Sequence, residues 1–335
     1  MRYLVILILS VLGFPALAQD WEDQRRFGPE SATQTLRVLS STDTDIFAPV
    51  VQSFLLTAPG LAVDYYVTST ADLDRVFRDA PDQFDVVISS AMDLQLKLAN
   101  DGLAARLSDL EHPDWAEWRQ SLFAFTQEPA TIVLNRAAFA GRPVPETRQD
   151  LIEILRAAPE VFQGKVGTYD VRQSGLGYLF ATQDARSSET YWRLMEVMGG
   201  LQARLYCCSS DMIDDLADGT IAVAYNVLGS YAAARSDIAD LIEVVLPSDF
   251  PTTMMRTALV SFEAAQPDRA AAFVAHLIST QNAASEDAAL TPLQPSLAIE
   301  GQQIITLEPA LMTYLDAQKR RVFLREWENA VIQNP

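Results

Sequence analysis

From residue 36 onward, apolar and polar positions follow a rhythm that predicts strands and helices in turn. "LRVLSSTD" is a short apolar run ending in small polar residues. "DIFAPVVQSFLL" then sets Ile46, Val50, Val51 and Phe54 on one helical face, with Pro49 tolerable only near a first turn. "LAVDYYVTST" alternates as a strand and "TADLDRVFRDA" has a helical period. "FDVVISSAMD" is a continuous apolar run, the pattern of a strand covered on both faces, and it again ends in serines. The helix "DLQLKLANDG" follows and stops at Gly102.

The stretch 103–130, with Trp115, Trp118 and prolines, breaks the rhythm. "EPATIVLNRAAF" reads as a strand passing from one lobe to another. A second alternating region runs through "GKVGTYDVRQSGLGYLF", "SETYWRLMEVMGG", "LQARLYCC", "SSDMIDDLADG" and "TIAVAYN". "LIEVVLPSDFPTTMMRTALVSF" reads as a return across the boundary, and helices close the chain. Strands alternating with helices imply sheets covered on both sides. The expectation is an α/β fold of two lobes, each a mostly parallel sheet flanked by helices, joined by two crossing strands near 124–133 and 246–258. Lobe 1 is expected from 36–125 plus about 255–290, and lobe 2 from 126–250 plus about 291–335. Residues 19–35, polar and without an apolar period, read as a loose leader.

In open sheets, ligands bind beyond the carboxyl ends of parallel strands, where helix N-termini point. Those ends share one chemistry here: Ser40-Ser41-Thr42, Ser89-Ser90, Arg172-Gln173-Ser174-Gly175, Cys207-Cys208-Ser209-Ser210, and Tyr225-Asn226 with Tyr231 beyond. Hydroxyls and free backbone N–H groups at helix starts bind anions, and the same residues also serve as plain N-caps. Ser41, Thr42 and Ser90 are candidate donors from lobe 1. Ser174, Ser209, Asn226 and Tyr231 are candidates from lobe 2, Tyr231 either as a phenol donor or as a core aromatic. Arg172 is the candidate charge partner and Arg256, on the returning strand, the reserve, because a guanidinium grips a carboxylate or phosphate with two bonds.

Composition changes this picture at three points. "MRYLVILILSVLGFPALAQD" has a basic start, an apolar run and a small-x-small motif, so residues 1–18 are expected to be a signal peptide cleaved after Ala18 into a periplasm. An uncleaved anchor is the alternative. No later stretch has the apolar length to cross a bilayer, so no direct membrane insertion is expected after cleavage. A net charge of −19 repels nucleic acid and anionic membranes, yet a few convergent donors in a cleft can still hold an anion, since exposed charges are screened beyond about 10 Å. Enzyme signatures are missing: neither histidine, His112 or His276, accompanies a nucleophile motif, and Asp43/Asp45 and Asp214/Asp215 read as solvated faces and caps. No cofactor and no metal site is expected.

Taken together, the leader, the element order and the stretches "VLSSTD", "FDVVISS", "AYNVLGSYA", "VLPSDF" and "AAAFVAHLIST" resemble the periplasmic solute-binding proteins of ABC transport systems, nearest the iron(III)/phosphoglycerate-regulatory group. The resemblance covers roughly 36–330. It implies a two-lobed, type II binding-protein fold that closes on its solute by hinging. It also implies delivery to a membrane permease or, alternatively, to a sensor histidine kinase. Iron-binding members usually carry adjacent tyrosines after the "GxxxxAxxN" strand. This chain has a single Tyr231 followed by alanine, so a small organic anion is expected instead: a carboxylate, a phospho-acid or a ferric chelate.

The two cysteines, Cys207 and Cys208, are adjacent. Two thiols rarely stay free in an oxidising compartment. One reading is a vicinal disulfide that stiffens the turn before Ser209 and faces the solute; the other is a pair of small buried hydrophobes. No histidine, second CxxC motif or nearby lysine supports a metal or redox role.

Overall fold

The computed structural model describes residues 21–282, 290–293 and 303–333; the expected signal peptide and its cleavage point lie outside the described residues. The described part opens with β1 (Asp23–Phe27), β2 (Gln34–Ser40), α1 (Thr44–Thr57), β3 (Leu61–Val67), α2 (Asp72–Asp79), β4 (Val86–Ser89) and α3 (Met92–Asn100). Short strands β5 (Glu117–Trp118) and β6 (Leu122–Ala124) follow. It then enters a second region with β7 (Glu128–Asn135), α4 (Arg148–Ala157), α5 (Pro159–Phe162), β8 (Val166–Tyr169), α6 (Gly175–Ser187) and α7 (Thr190–Gly200). That region continues through β9 (Arg204–Tyr206), α8 (Ser209–Ala217), β10 (Val223–Leu228), α9 (Gly229–Ala233), β11 (Ile242–Val245) and β12 (Thr252–Met254). The return is β13 (Thr257–Val260), α10 (Pro267–Asn282), β14 (Gln303–Ile304) and α11 (Ala317–Val331).

Two sheets result, ordered β1-β3-β2-β4-β13-β6-β5 and β14-β12-β7-β10-β8-β9, with β11 beside β7. The chain changes sheet at 125–127 and again at 255–256, inside both stretches where crossings are expected. The sheets are mixed rather than mostly parallel. β3, β2 and β4 run parallel, as do β10, β8 and β9, because helices connect them. β13 and β7 arrive from the opposite lobe and enter antiparallel to β4 and β10.

Sequence explains most of these elements directly. β4 places Val86, Val87 and Ile88 in the core on both faces, and α1 turns Phe47, Val51 and Phe54 inward. Pro49 lies past the first turn of α1, where it removes one backbone donor. α4 starts with a capping box, Thr147 and Asp150, and Ser174 caps α6 by accepting from the Gly177 N–H at 3.1 Å.

Two further expectations change. The segment read as a loose leader is anchored: β1 pairs antiparallel with β3, Phe27 is buried, and Trp21 packs on Tyr66 and Phe84. Its turn needs glycine, since Gly28 has φ +95° and a Cβ there would stand 2.7 Å from the Leu61 carbonyl oxygen. The C-terminal part also divides its contacts. α11 packs on α7 in lobe 2, but the 3₁₀ segment Pro309–Leu315 rests on α3 of lobe 1 as well as on α11, and α10 packs on α1 and β13.

Candidate functional site

The parallel strands of both sheets aim their carboxyl ends at one cleft. Lobe 1 supplies Ser41 and Asp43 after β2, Thr68, Ser69 and Thr70 after β3, and Ser90 after β4. Glu22, just before β1, joins this wall. Lobe 2 supplies Tyr169 from the end of β8, Leu176 from α6, Cys207, Cys208 and Ser209 after β9, and Leu228 and Tyr231 at and after the end of β10. The lobes are shut, and the cavity between them measures about 30 Å³, enough for one or two waters.

Hydrogen bonds cross the cleft. The Gly175 and Leu176 N–H groups, at the start of α6, donate to Thr70 Oγ1 at 2.9 and 3.3 Å. The Asp43 N–H donates to the Tyr231 hydroxyl oxygen at 3.4 Å. The approach is so close that a Cβ on Gly175 would stand 2.7 Å from the Thr70 carbonyl oxygen. Within each wall the hydroxyls are tied together: Ser41 to Ser89 at 3.1 Å, and Tyr169 to Ser209 at 2.5 Å. Burial pushes the Tyr169 and Tyr231 phenols up, away from the phenolate form.

Among the described residues, no arginine, lysine or histidine lines this cavity, whereas Glu22 and Asp43 do. Burial raises both carboxyl groups; for Glu22, Asp43 and Asp211 add like-charge repulsion, and for Asp43 the Ser210 hydroxyl and Arg256 partly offset the rise. Both arginines expected to meet an anion are committed elsewhere. Arg172 binds Asp170 through Nε at 2.8 Å and Nη2 at 2.7 Å, with Glu328 and the Trp327 ring alongside. The cause is local: two residues apart in one turn, Asp170 reaches Arg172 before any solute can. Arg256 is wholly buried behind the lobe 1 wall, donating to Glu128 through Nε and Nη2 at 3.0 Å each, and to Thr42 Oγ1.

Thr42 is therefore also behind the wall rather than on it. Asn226 points into lobe 2, where its Nδ2 donates to Asp184 at 2.9 Å; its φ of +64° marks the bulge between Tyr225 and Val227. Ser174 is spent on capping α6. Ser41, Ser90, Cys207, Cys208, Ser209 and Tyr231 are brought together on the walls. Sequence reading missed Glu22, Asp43 and Thr68–Thr70. Thr68–Thr70 follow a strand, so the strand-end rule applied to "YYVTST" would have found them.

Cys207 and Cys208 are half-buried and their sulfurs are not bonded to each other. That removes the vicinal disulfide from this structure. The two thiols are close enough to perturb each other, which lowers Cys207 and raises Cys208. Asp211, in the first turn of α8, reaches back to Cys207 Sγ at 3.6 Å. The two sulfurs and an Asp211 oxygen all lie within 4.8 Å of one another, a partner the sequence reading overlooked. The histidines stand apart: His276 bonds Ser53 Oγ at 2.7 Å, and His112 packs against Phe123.

A family model described as bacterial extracellular solute-binding protein matches residues 54–311. This chain belongs to that family. It is 30% identical to the substrate-binding protein of an ABC transporter from Agrobacterium tumefaciens, over 92% of this chain and 98% of that one, with a TM-score of 0.86. Iron-bound HitA from Pseudomonas aeruginosa (TM-score 0.64, 14% identity, 88% of this chain and 99% of that one) shares the fold. So does AfuA from Actinobacillus pleuropneumoniae with fructose-6-phosphate bound (0.70, 13%, 89% and 99%). At such identities the likeness is one of fold alone. No curated protein matches the chain. Family members of this kind are solute-binding proteins that work with membrane permeases, and no helix among the described residues is long and apolar enough to cross a membrane.

Proposed function

We propose that the chain captures a small solute between its lobes outside the cytoplasm and hands it to an ABC permease. The observation that carries this reading is the set of hydrogen bonds across the cleft, Gly175 to Thr70 and Asp43 to Tyr231, formed where both sheets end. A hinge-closing receptor needs such contacts, made only when the halves meet. The description of the Agrobacterium relative as part of an ABC transporter supports uptake over the sensory alternative. The expected signal peptide supports a periplasmic site of action.

The solute class shifts from the sequence expectation. An organic anion gripped by a guanidinium has no guanidinium to meet, and it would face Glu22 and Asp43. The walls suit a cationic solute, or a neutral one that trades hydrogen bonds with hydroxyls. The cavity also limits size: with the lobes this close, only a few atoms fit, and a sugar phosphate would need them further apart.

Gly175→Ala tests the cleft. With the lobes apart Thr70 is withdrawn and the methyl has room, so the variant should still fold, and its cooperative unfolding transition is the control. The added methyl meets the Thr70 backbone and blocks closure. Solutes that raise the wild-type melting point in a thermal-shift screen should bind the variant on the order of tenfold or more weakly. Equal affinity in both proteins places the solute somewhere other than this cleft.

A further inference from the structure

Three independent features meet at one edge of the cavity. Two thiols and a carboxylate of lobe 2 stand within ligating distance of one another. Two carboxylates of lobe 1, Glu22 and Asp43, face them across the cleft, with no basic side chain among the described residues of either wall. The space between is about 30 Å³. Like-signed groups converging from opposite lobes repel, and closure on a cation turns that repulsion into attraction.

We propose that the captured solute is a thiophilic divalent cation of the zinc–cadmium class, bound by Cys207, Cys208 and Asp211 and clamped from the other lobe by Glu22. This inference rests on the reading of the cleft as the solute site and names its cargo. Tetrahedral ligands roughly 2.3 Å from a metal lie about 3.5–4 Å apart, so side-chain rotation alone brings atoms now within 4.8 Å into place. Thiolates select soft and borderline metals over calcium, magnesium or iron(III). The step is ligand exchange: two S–H bonds give their protons to solvent, two metal–sulfur bonds form, water leaves the ion, and nothing is oxidised or reduced. Binding therefore weakens as pH falls.

The test is a Cd²⁺ titration of the reduced, metal-stripped chain, followed by its ultraviolet sulfur-to-metal charge-transfer absorption, proton release and small-angle scattering. One Cd²⁺ per chain, with the absorption band and a smaller radius of gyration, is the expected result. The double substitution Cys207→Ser, Cys208→Ser should remove the band and weaken binding on the order of 100-fold, and Glu22→Gln should weaken it about tenfold. Four results would overturn the inference: no band, binding without compaction, tight binding that survives the double substitution, or iron(III) preferred to Cd²⁺. A thiol count of zero on denatured, unreduced protein from cells also overturns it. If Cd²⁺ fails while another solute stabilises wild type but not Gly175→Ala, the cargo is wrong and the cleft stands.

Discussion

Among the described residues, two arginine–carboxylate pairs have both partners buried, and they differ in what they join. Arg256 and Glu128 are both fully buried, and each comes from a segment next to a lobe crossing. Arg256 also donates to Thr42 of lobe 1, while Glu128 accepts from Ser230 of lobe 2 and from Thr126. Burial alone would raise Glu128, but Arg256 and these donors hold it below the ordinary range. Arg148 and Asp184 are almost as buried, yet every partner belongs to lobe 2: Asp184 accepts from Arg148, Tyr225, Asn226 and Thr252, and Arg148 also donates to Tyr225 and the Asp249 region. The same chemistry ties residues of both lobes together in one place and residues of a single lobe in the other.

The largest expected effect separates them. Removing one partner of a buried pair leaves an uncompensated charge and costs about 3–5 kcal/mol. Glu128→Ala and Asp184→Ala should both lose about that much in urea unfolding. Only Glu128→Ala should also alter the distribution of interlobe distances, read by scattering or paired spin labels, under conditions where the chain is still folded. The double change Glu128→Leu, Arg256→Met sharpens the contrast by restoring stability while leaving the lobe angle loose, since an apolar pair replaces a buried ion pair at little cost. If Asp184→Ala moves the lobes and Glu128→Ala does not, the assignment of roles is reversed.

A smaller effect follows from the acidic cleft. In the closed form, burial raises Glu22 and Asp43, so the closed state binds protons more tightly than the open one. The proton-linked gain in closure of the solute-free protein is fully present below the ordinary carboxylate pKa and is lost as pH rises through the raised values. Acidification should therefore compact the empty protein while weakening any cation it holds, and Glu22→Gln should flatten the first trend. Scattering across the carboxylate range checks this; expansion of the empty protein in acid breaks it.

The two regions were not equally legible in sequence. The continuous apolar run "VVI" within "FDVVISS" reveals a buried strand, because a strand covered on both faces carries apolar side chains at successive positions. β1 escapes because "DQRRF" buries only Phe27 and owes its order to pairing with β3. The hinge pair escapes because Glu128 and Arg256 are single residues far apart, and periodicity says nothing about which charges meet; an acid heading the apolar run "EPATIVLN" was the one local sign. Serines at strand ends mark the site through topology, which fixes where strands point. Its charge was illegible: Arg172 looks available until the turn geometry hands it to Asp170, and Asp43 looks like a cap until the other lobe closes over it.

The smallest expected effect concerns Arg172. Its guanidinium is about one-third exposed, paired with Asp170 and Glu328 and set over the Trp327 ring, so it links the loop after β8 to α11. Such a partly exposed pair contributes about 0–1 kcal/mol. Arg172→Ala should lower stability by no more than that and leave solute affinity unchanged, whereas an arginine gripping an anion would give up tens-fold in binding with a charge-assisted bond of about 1.5–3 kcal/mol. Calorimetric titration with whatever solute the screen yields makes the distinction. A tens-fold loss would mean that the guanidinium leaves Asp170 in the open form and swings into the cleft, which restores the anion and removes the cation from it.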